Sequence, residues 1–259
     1  MNELLYTHFH PDEHRFVDKA SEWVERAEQH AVKLTDFLDP RQAFILTTLV
    51  NRSQDVQVRF DGGHPDAERR RALVAPDYRV LDAEDTGIRL IEVTSLDDKL
   101  KELDHGDYMG AILGLGIKRD KIGDIYPSEN GCHFLVAAEV ADYMRLNLSQ
   151  VHRVHVQTEL LPLEKLHATG TKLEEMSLSV ASLRLDGIVS DVYRLSRAKV
   201  LIPIKAGRCK VNWKQEEDPS KALKQDDVIS LQGFGRFKVL EIEGLTKKGR
   251  FRLKIGKYA

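Results

Sequence analysis

The chain has 259 residues, 42% hydrophobic and 31% charged, enough apolar material for two or three small cores. No stretch approaches the roughly 18 apolar residues of a membrane span, and Met1 to Ala20 holds no apolar run of signal-peptide length, so a cytoplasmic protein with no membrane partner is expected. The formal net charge of −2 conceals a polarised molecule: residues 181–259 carry 18 Lys+Arg against 9 Asp+Glu, whereas residues 1–180 carry 21 against 32. A basic module on an acidic body is suited to a polyanion, because each cation that meets a phosphate releases condensed counterions. Nucleic acid is the first partner to test.

Residues 1–75 read as a helical N-terminal domain. Phe16, Ala20, Trp23, Val24 and Ala27 recur at helical spacing, and Asp39-Pro40-Arg41-Gln42 combines an N-cap, a first-turn proline and a capping-box Gln, predicting a helix from Pro40 to about Val50. Gly62-Gly63-His64-Pro65 and the charged run Glu68-Arg69-Arg70-Arg71 mark the approach to a boundary.

Residues 76–165 alternate between strand and helix. Ile88 to Thr94 reads as a strand, Asp104 to Leu115 as a helix, Gly123 to Tyr126 and Cys132 to Ala137 as a hairpin, Val140 to Leu148 as a helix and His155 to Leu161 as a strand. The order β-α-β-β-α-β predicts a ferredoxin-like domain, an arrangement that many RNA-recognition domains use. Glycines at 110 and 114 suggest close helix–sheet packing. Leu163 to Ser179, with Thr169-Gly170-Thr171, reads as a linker.

Residues 181–259 form the basic module. Leu185, Ile188, Val189 and Val192 make one apolar helix face. Ser196 caps a second helix, Arg197 to Lys205, which Gly207 ends in a left-handed turn. Cys209, Val211 and Trp213 alternate with Lys210, Asn212 and Lys214, predicting a strand with a cationic face and Trp213 on the core side, with stacking of Trp213 on a base as the alternative. Strands over 228–231 and 237–242 follow. Helix and strand together would present their cations on one surface. The whole is an α+β protein.

Arg184-Leu185-Asp186, Ser196-Arg197-Ala198-Lys199, Gly207, Val211-Asn212 and Asp226-Asp227-Val228-Ile229 resemble the S-four-type RNA-binding domain, named after a small-subunit ribosomal protein. The resemblance implies RNA contact by Arg184, Ser196, Arg197, Lys199, Lys205, Arg208, Lys210 and Asn212. Pro203 departs from the apolar residue usual there and predicts a kinked or shortened helix; Trp213 replaces the common glycine. Across the whole chain, Phe37-Leu38-Asp39-Pro40-Arg41-Gln42, Ala67 to Leu73, Gly110-x-x-x-Gly114-Leu115-Gly116-Ile117-Lys118-Arg119, Gly123-Asp124-Ile125 and Val211-Asn212-Trp213-Lys214 resemble the YlmH family. That resemblance implies binding to rRNA of large ribosomal subunits that carry peptidyl-tRNA, hence contact with tRNA as well, in ribosome-associated quality control with alanine tailing. Cell-division proteins are further candidate partners, because the family is often encoded near division genes.

Lys118, Arg119 and Lys121 follow the central helix, and their charge makes that loop a second candidate RNA contact. No cofactor is expected, since the glycine-rich stretch carries neither a phosphate loop nor a dinucleotide fingerprint. No metal is expected at His10 and His14, which lack a third ligand. Arg184-Leu185-Asp186 also resembles the catalytic motif of pseudouridine synthases. Those enzymes place it in a large domain after the RNA-binding module, whereas here it lies inside the module, so no enzyme is expected.

Overall fold

The computed structural model describes residues 6–95, 103–129, 131–168, 173–246 and 249–258. It divides into two compact units, Pro11–Gly170 and a second that joins Met1–His10 to Thr171–Ala259.

In the first unit, α1 (His14–Glu28) buries Val17, Ala20, Trp23, Val24 and Ala27 along one face, as apolar spacing at three and four residues requires. Helix α2 (Pro40–Val50) starts at a reciprocal cap: Asp39 Oδ1 accepts from the Gln42 N–H at 2.8 Å, and Gln42 Oε1 accepts from the Asp39 N–H at 3.0 Å. The helical expectation for residues 1–75 is incomplete. Strands β1 (Lys33–Leu38), β2 (Val56–Asp61) and β3 (Arg70–Pro76) form an antiparallel sheet in the order β1-β3-β2. Long-range pairing overrides the mixed polarity of these segments. Even Arg71 is buried in β3, donating to the carbonyls of Thr35 at 2.8 Å and Gly87 at 3.0 Å.

The rest of this unit runs β4 (Ile88–Thr94), α3 (His105–Gly114), β5 (Ile122–Ser128), β6 (Gly131–Ala137), α4 (Ala138–Asn147), a small hairpin of β7 (Gln150–Val151) and β8 (Val154–His155), and β9 (Gln157–Leu161). The sheet order β5-β6-β4-β9, antiparallel throughout, is that of the ferredoxin-like fold. One face packs Ile91, Val93, Phe134 and Val136 against Tyr108, Ile112, Ala141 and Met144 of the two helices. The other face, with Ile88, Leu90 and Leu135, is packed by Phe37, Leu163 and Leu166. RNA-recognition domains of this topology use that second face to stack bases; here the chain itself covers it. Glycines 110 and 114 do not serve helix–sheet contact, for a Cβ on either would meet nothing within 4 Å. The close approach lies instead at Gly131, where φ is +147° and a Cβ would stand 2.0 Å from the Val93 carbonyl oxygen.

The second unit holds β10 (Leu173–Val180), α5 (Leu185–Tyr193), α6 (Arg197–Lys205), β11 (Cys209–Val211), β12 (Lys214–Gln215), β13 (Val228–Leu231), β14 (Gly235–Leu245) and β15 (Phe251–Tyr258). Its sheet order is β10-β15-β14-β13-β11-β12. Part of the expected linker is therefore strand: β10 pairs with β15 without a break from Leu173↔Tyr258 to Val180↔Phe251. Its exposed Glu174, Glu175, Ser177 and Ser179 give it the polar look of a linker, as befits an edge strand. Thr169-Gly170-Thr171 lies outside the described residues. Leu185, Ile188 and Val189 of α5 and Val200 and Ile204 of α6 pack with Cys209, Val211, Ile229, Leu231, Phe237 and Val239 of the sheet. Cys132 and Cys209 are both free and buried, and burial holds the Cys209 thiol up at about 12.

Candidate nucleic-acid interface

Helix α6 begins as the sequence predicts. Ser196 Oγ accepts from the Lys199 N–H at 3.4 Å, leaving Ser196, Arg197 and Lys199 exposed at the positive end of the helix. The helix passes through buried Pro203 to Lys205 without stopping early. It closes in a Schellman motif: the Gly207 N–H donates to the Ile204 carbonyl at 3.0 Å and the Arg208 N–H to the Pro203 carbonyl at 2.9 Å, with Gly207 at φ +68°.

Arg184 is exposed, and its guanidinium forks onto Asp186, Nε to Oδ1 at 3.0 Å and Nη2 to Oδ2 at 3.1 Å. This hydrogen bonding raises the Arg184 pKa and holds the buried Asp186 carboxyl below its usual range. Arg197 adds its charge to the same carboxylate, and a Cβ on Gly187 would lie 3.3 Å from Arg197 Nη2. The glycine thus admits Arg197 beside Asp186, so one buried carboxylate gathers two exposed arginines. Each keeps the capacity to meet an RNA phosphate, because a guanidinium carries five donors.

The predicted cations do not all belong to one face. Strand alternation turns Cys209 and Val211 toward the helices and Lys210 to the opposite, outer face of the sheet. There Gln215, Lys210, Ser230 and Arg236 form a continuous row of cross-strand partners. Arg197, Lys199 and Lys205 remain on α6, joined to exposed Arg208 and Lys210 through the Gly207 turn.

Asn212 and Trp213 are not strand residues. At φ +51° and +63° they are the two central residues of a tight β11–β12 hairpin turn, the type that usually takes Asn-Gly. The Asn212 side chain works internally: Nδ2 donates to Asp227 Oδ1 at 2.8 Å, and Oδ1 accepts from the Val228 N–H at 2.9 Å. Its RNA contact, expected from the resemblance, would have to share the side chain with these internal bonds. Trp213 leaves the core and lies partly exposed at the hairpin tip. Nothing in the alternation of 209–214 reveals this, because an aromatic residue hides a turn that glycine would announce.

The central-loop trio separates as well. Lys118 is exposed. Arg119 points inward, its Nη1 donating to the carbonyls of Ile122 at 2.7 Å and Gly123 at 3.3 Å; burial, with Arg69 beside it, pushes its guanidinium down to about 10. Lys121 Nζ bridges Asp36 and Glu139 at 2.5 and 2.8 Å. Arg119 and Lys121 are therefore internal struts. They belong to a polar seam in which Asp124 accepts from the Glu68 and Arg69 backbone N–H groups at 2.6 and 3.1 Å. In the same seam Arg69 donates to the carbonyls of Ile122 at 3.0 Å and Phe37 at 2.9 Å. Gly123 lets the Phe37 ring approach, since a Cβ there would lie 2.8 Å from it.

Comparison with known proteins places these features in one family. Residues 12–79 match the family model described as "YlmH, N-terminal", and residues 82–165 match "Putative RNA-binding domain in YlmH". The chain is 39% identical over 250 residues to the ribosome-associated protein quality control protein P2 of Bacillus subtilis (strain 168), covering 96% of each. The solved structure of cell division protein ylmH from Streptococcus pneumoniae is 27% identical with a TM-score of 0.54, over 61% of this chain and 97% of that one. The chain belongs to the YlmH family.

Proposed function

We propose that this protein binds RNA on the large ribosomal subunit when peptidyl-tRNA is present, and acts in ribosome-associated quality control and alanine tailing of stalled chains in the cytoplasm. The observation that carries the reading is the arginine pair, Arg184 and Arg197, gathered on Asp186 beside the capped, cationic start of α6. We read residues 181–259 as the S-four-type module that their motifs resemble, and its net basic charge on an otherwise acidic chain favours rRNA phosphates. The name of the Bacillus subtilis relative supports the ribosomal setting. The reading includes no catalytic centre: Asp186, which the synthase reading would make catalytic, is bound to Arg184 and to the Gly187 N–H at 2.8 Å.

Lys118 offers a second contact, to tRNA, from the central domain. Co-sedimentation of the full chain with large subunits that carry or lack peptidyl-tRNA tests the reading. Greater binding to the loaded subunits is expected, and equal binding would defeat the peptidyl-tRNA preference. The name of the Streptococcus pneumoniae relative, a cell division protein, favours a second reading, an interaction factor for division proteins. A partner retained after ribosomes are removed would support it.

A further inference from the structure

Trp213 occupies a backbone conformation that L-residues enter at a cost and that glycine enters freely. A bulky residue held at φ +63° is an outlier that packing does not explain here, since the indole is at a hairpin tip rather than in the core. Its ring does have a defined position. The Arg236 guanidinium lies 5.9 Å from the Trp213 ring centroid and 4.0 Å from that of Tyr258, so two partly exposed aromatic rings flank one planar cation. Arg236 stands in the outer-face row with Lys210.

We propose that Trp213, with Arg236 and Tyr258, forms a stacking site for an unpaired nucleobase of RNA on the outer face of the C-terminal sheet. An indole presents a π-face that every base can stack on, and adjacent Lys and Arg side chains suit the phosphates on either side. The site lies on the face opposite α6, so it adds single-strand recognition to the phosphate contacts of the helix. It selects looped or bulged RNA over continuous duplex, whose bases are not available for stacking. This inference rests on the RNA-binding reading above.

The test uses the full chain and two RNAs of equal charge, a hairpin with an unpaired loop and a blunt duplex. Trp213→Gly removes the indole while keeping the turn, since glycine tolerates its φ. It is expected to weaken hairpin binding about tenfold while leaving duplex binding nearly unchanged, with no loss of melting temperature. Trp213→Phe should retain most of the hairpin preference. Unchanged hairpin binding by Trp213→Gly, or equal losses on both RNAs, overturns the stacking site. If Arg197→Ala with Lys199→Ala weakens both RNAs in the same experiment, the RNA-binding reading stands even where the stacking site falls. Binding of neither RNA by the unsubstituted chain overturns both.

Discussion

Asn212 and Asp227 clasp each other across 15 residues of sequence, Asn212 Nδ2 to Asp227 Oδ1 at 2.8 Å. The same carboxylate accepts from the Lys224 N–H at 2.7 Å, while Asn212 Oδ1 accepts from the Val228 N–H at 2.9 Å. One side-chain pair therefore fixes the β11–β12 hairpin to the loop that enters β13. Asn212→Gly keeps the left-handed backbone but deletes these bonds, and is expected to lower stability by about 1–2 kcal/mol. Asp227→Ala should cost a similar amount, and the double variant should cost less than the sum, because the two residues share one interaction. Chemical denaturation of the four proteins measures this.

Two glycines should respond oppositely to alanine. Gly110 lies in α3 with open space where a Cβ would go, so Gly110→Ala should stabilise by about 1 kcal/mol through helix propensity alone. Gly131→Ala drives a methyl group into the Val93 backbone and requires strand β6 to move from β4; a loss of about 3 kcal/mol or more is expected. Thermal melts of both variants measure the contrast, and shifts of the same sign would contradict it.

The elements most legible in the sequence are those set by neighbouring residues. Asp39 with Gln42, Ser196 with Lys199, and Gly207 after α6 each satisfy helix-end groups within a few positions, so their chemistry is visible locally. Strand β6 is legible because it is buried at every position, and β4 because Ile88, Leu90, Ile91 and Val93 are apolar and buried among Arg89, Glu92 and Thr94. Strand β1 is not, because Lys33, Thr35 and Asp36 make it polar; its extended form comes from the pairs Lys33↔Val74, Leu34↔Leu73, Phe37↔Arg71 and Leu38↔Arg70 with β3, and Thr35 and Asp36 sit in the irregularity between them. Nor is the fate of Arg119 and Lys121, whose partners include Asp36, 85 residues away from Lys121. Local charge marks both as RNA contacts, and it reveals neither the carbonyls that Arg119 meets nor the distant carboxylate that Lys121 meets.

Arg197→Ala with Lys199→Ala should weaken RNA binding without unfolding the module, because both side chains are exposed on α6. Every cation removed from a phosphate should flatten the slope of log affinity against log salt by about one. Titration at several salt concentrations, beside a melting curve, gives both quantities. An unchanged slope would remove the pair from the interface.

The seam should show itself in acid. Burial works against the Glu139 charge, but its hydrogen bond with Lys121 and the charge of Arg71 hold the carboxyl down at about 2. A folded pKa below the unfolded value means that the stabilisation is complete above about 4.3, the unfolded carboxyl value, and disappears as pH falls toward 2. Glu139→Gln should therefore lower the melting temperature at neutral pH, and the gap from the unsubstituted chain should close between about pH 4.3 and 2. A gap that is constant with pH would mean that the ion pair with Lys121 and Arg71 contributes nothing.

Lys118, Arg119 and Lys121 lie within four positions, and charge reversal should separate their roles. Lys118→Glu changes an exposed side chain, so stability should move by less than about 0.5 kcal/mol while the preference for peptidyl-tRNA-bearing subunits falls. Arg119→Glu places a carboxylate near Asp124 and Glu68 and removes one of the two arginine donors to the Ile122 carbonyl, leaving Arg69 alone there. A cost of about 3 kcal/mol or more is expected. Lys121→Glu sets a third carboxylate between Asp36 and Glu139 and should also destabilise, though less, since all three groups retain some water. Melting curves and co-sedimentation must be run together, because a binding loss in the Arg119 or Lys121 variant reports a damaged seam. Loss of the tRNA-dependent preference in Lys118→Glu with an unchanged melting temperature would identify the loop as a contact surface. Retention of that preference would leave the C-terminal module as the RNA-binding surface.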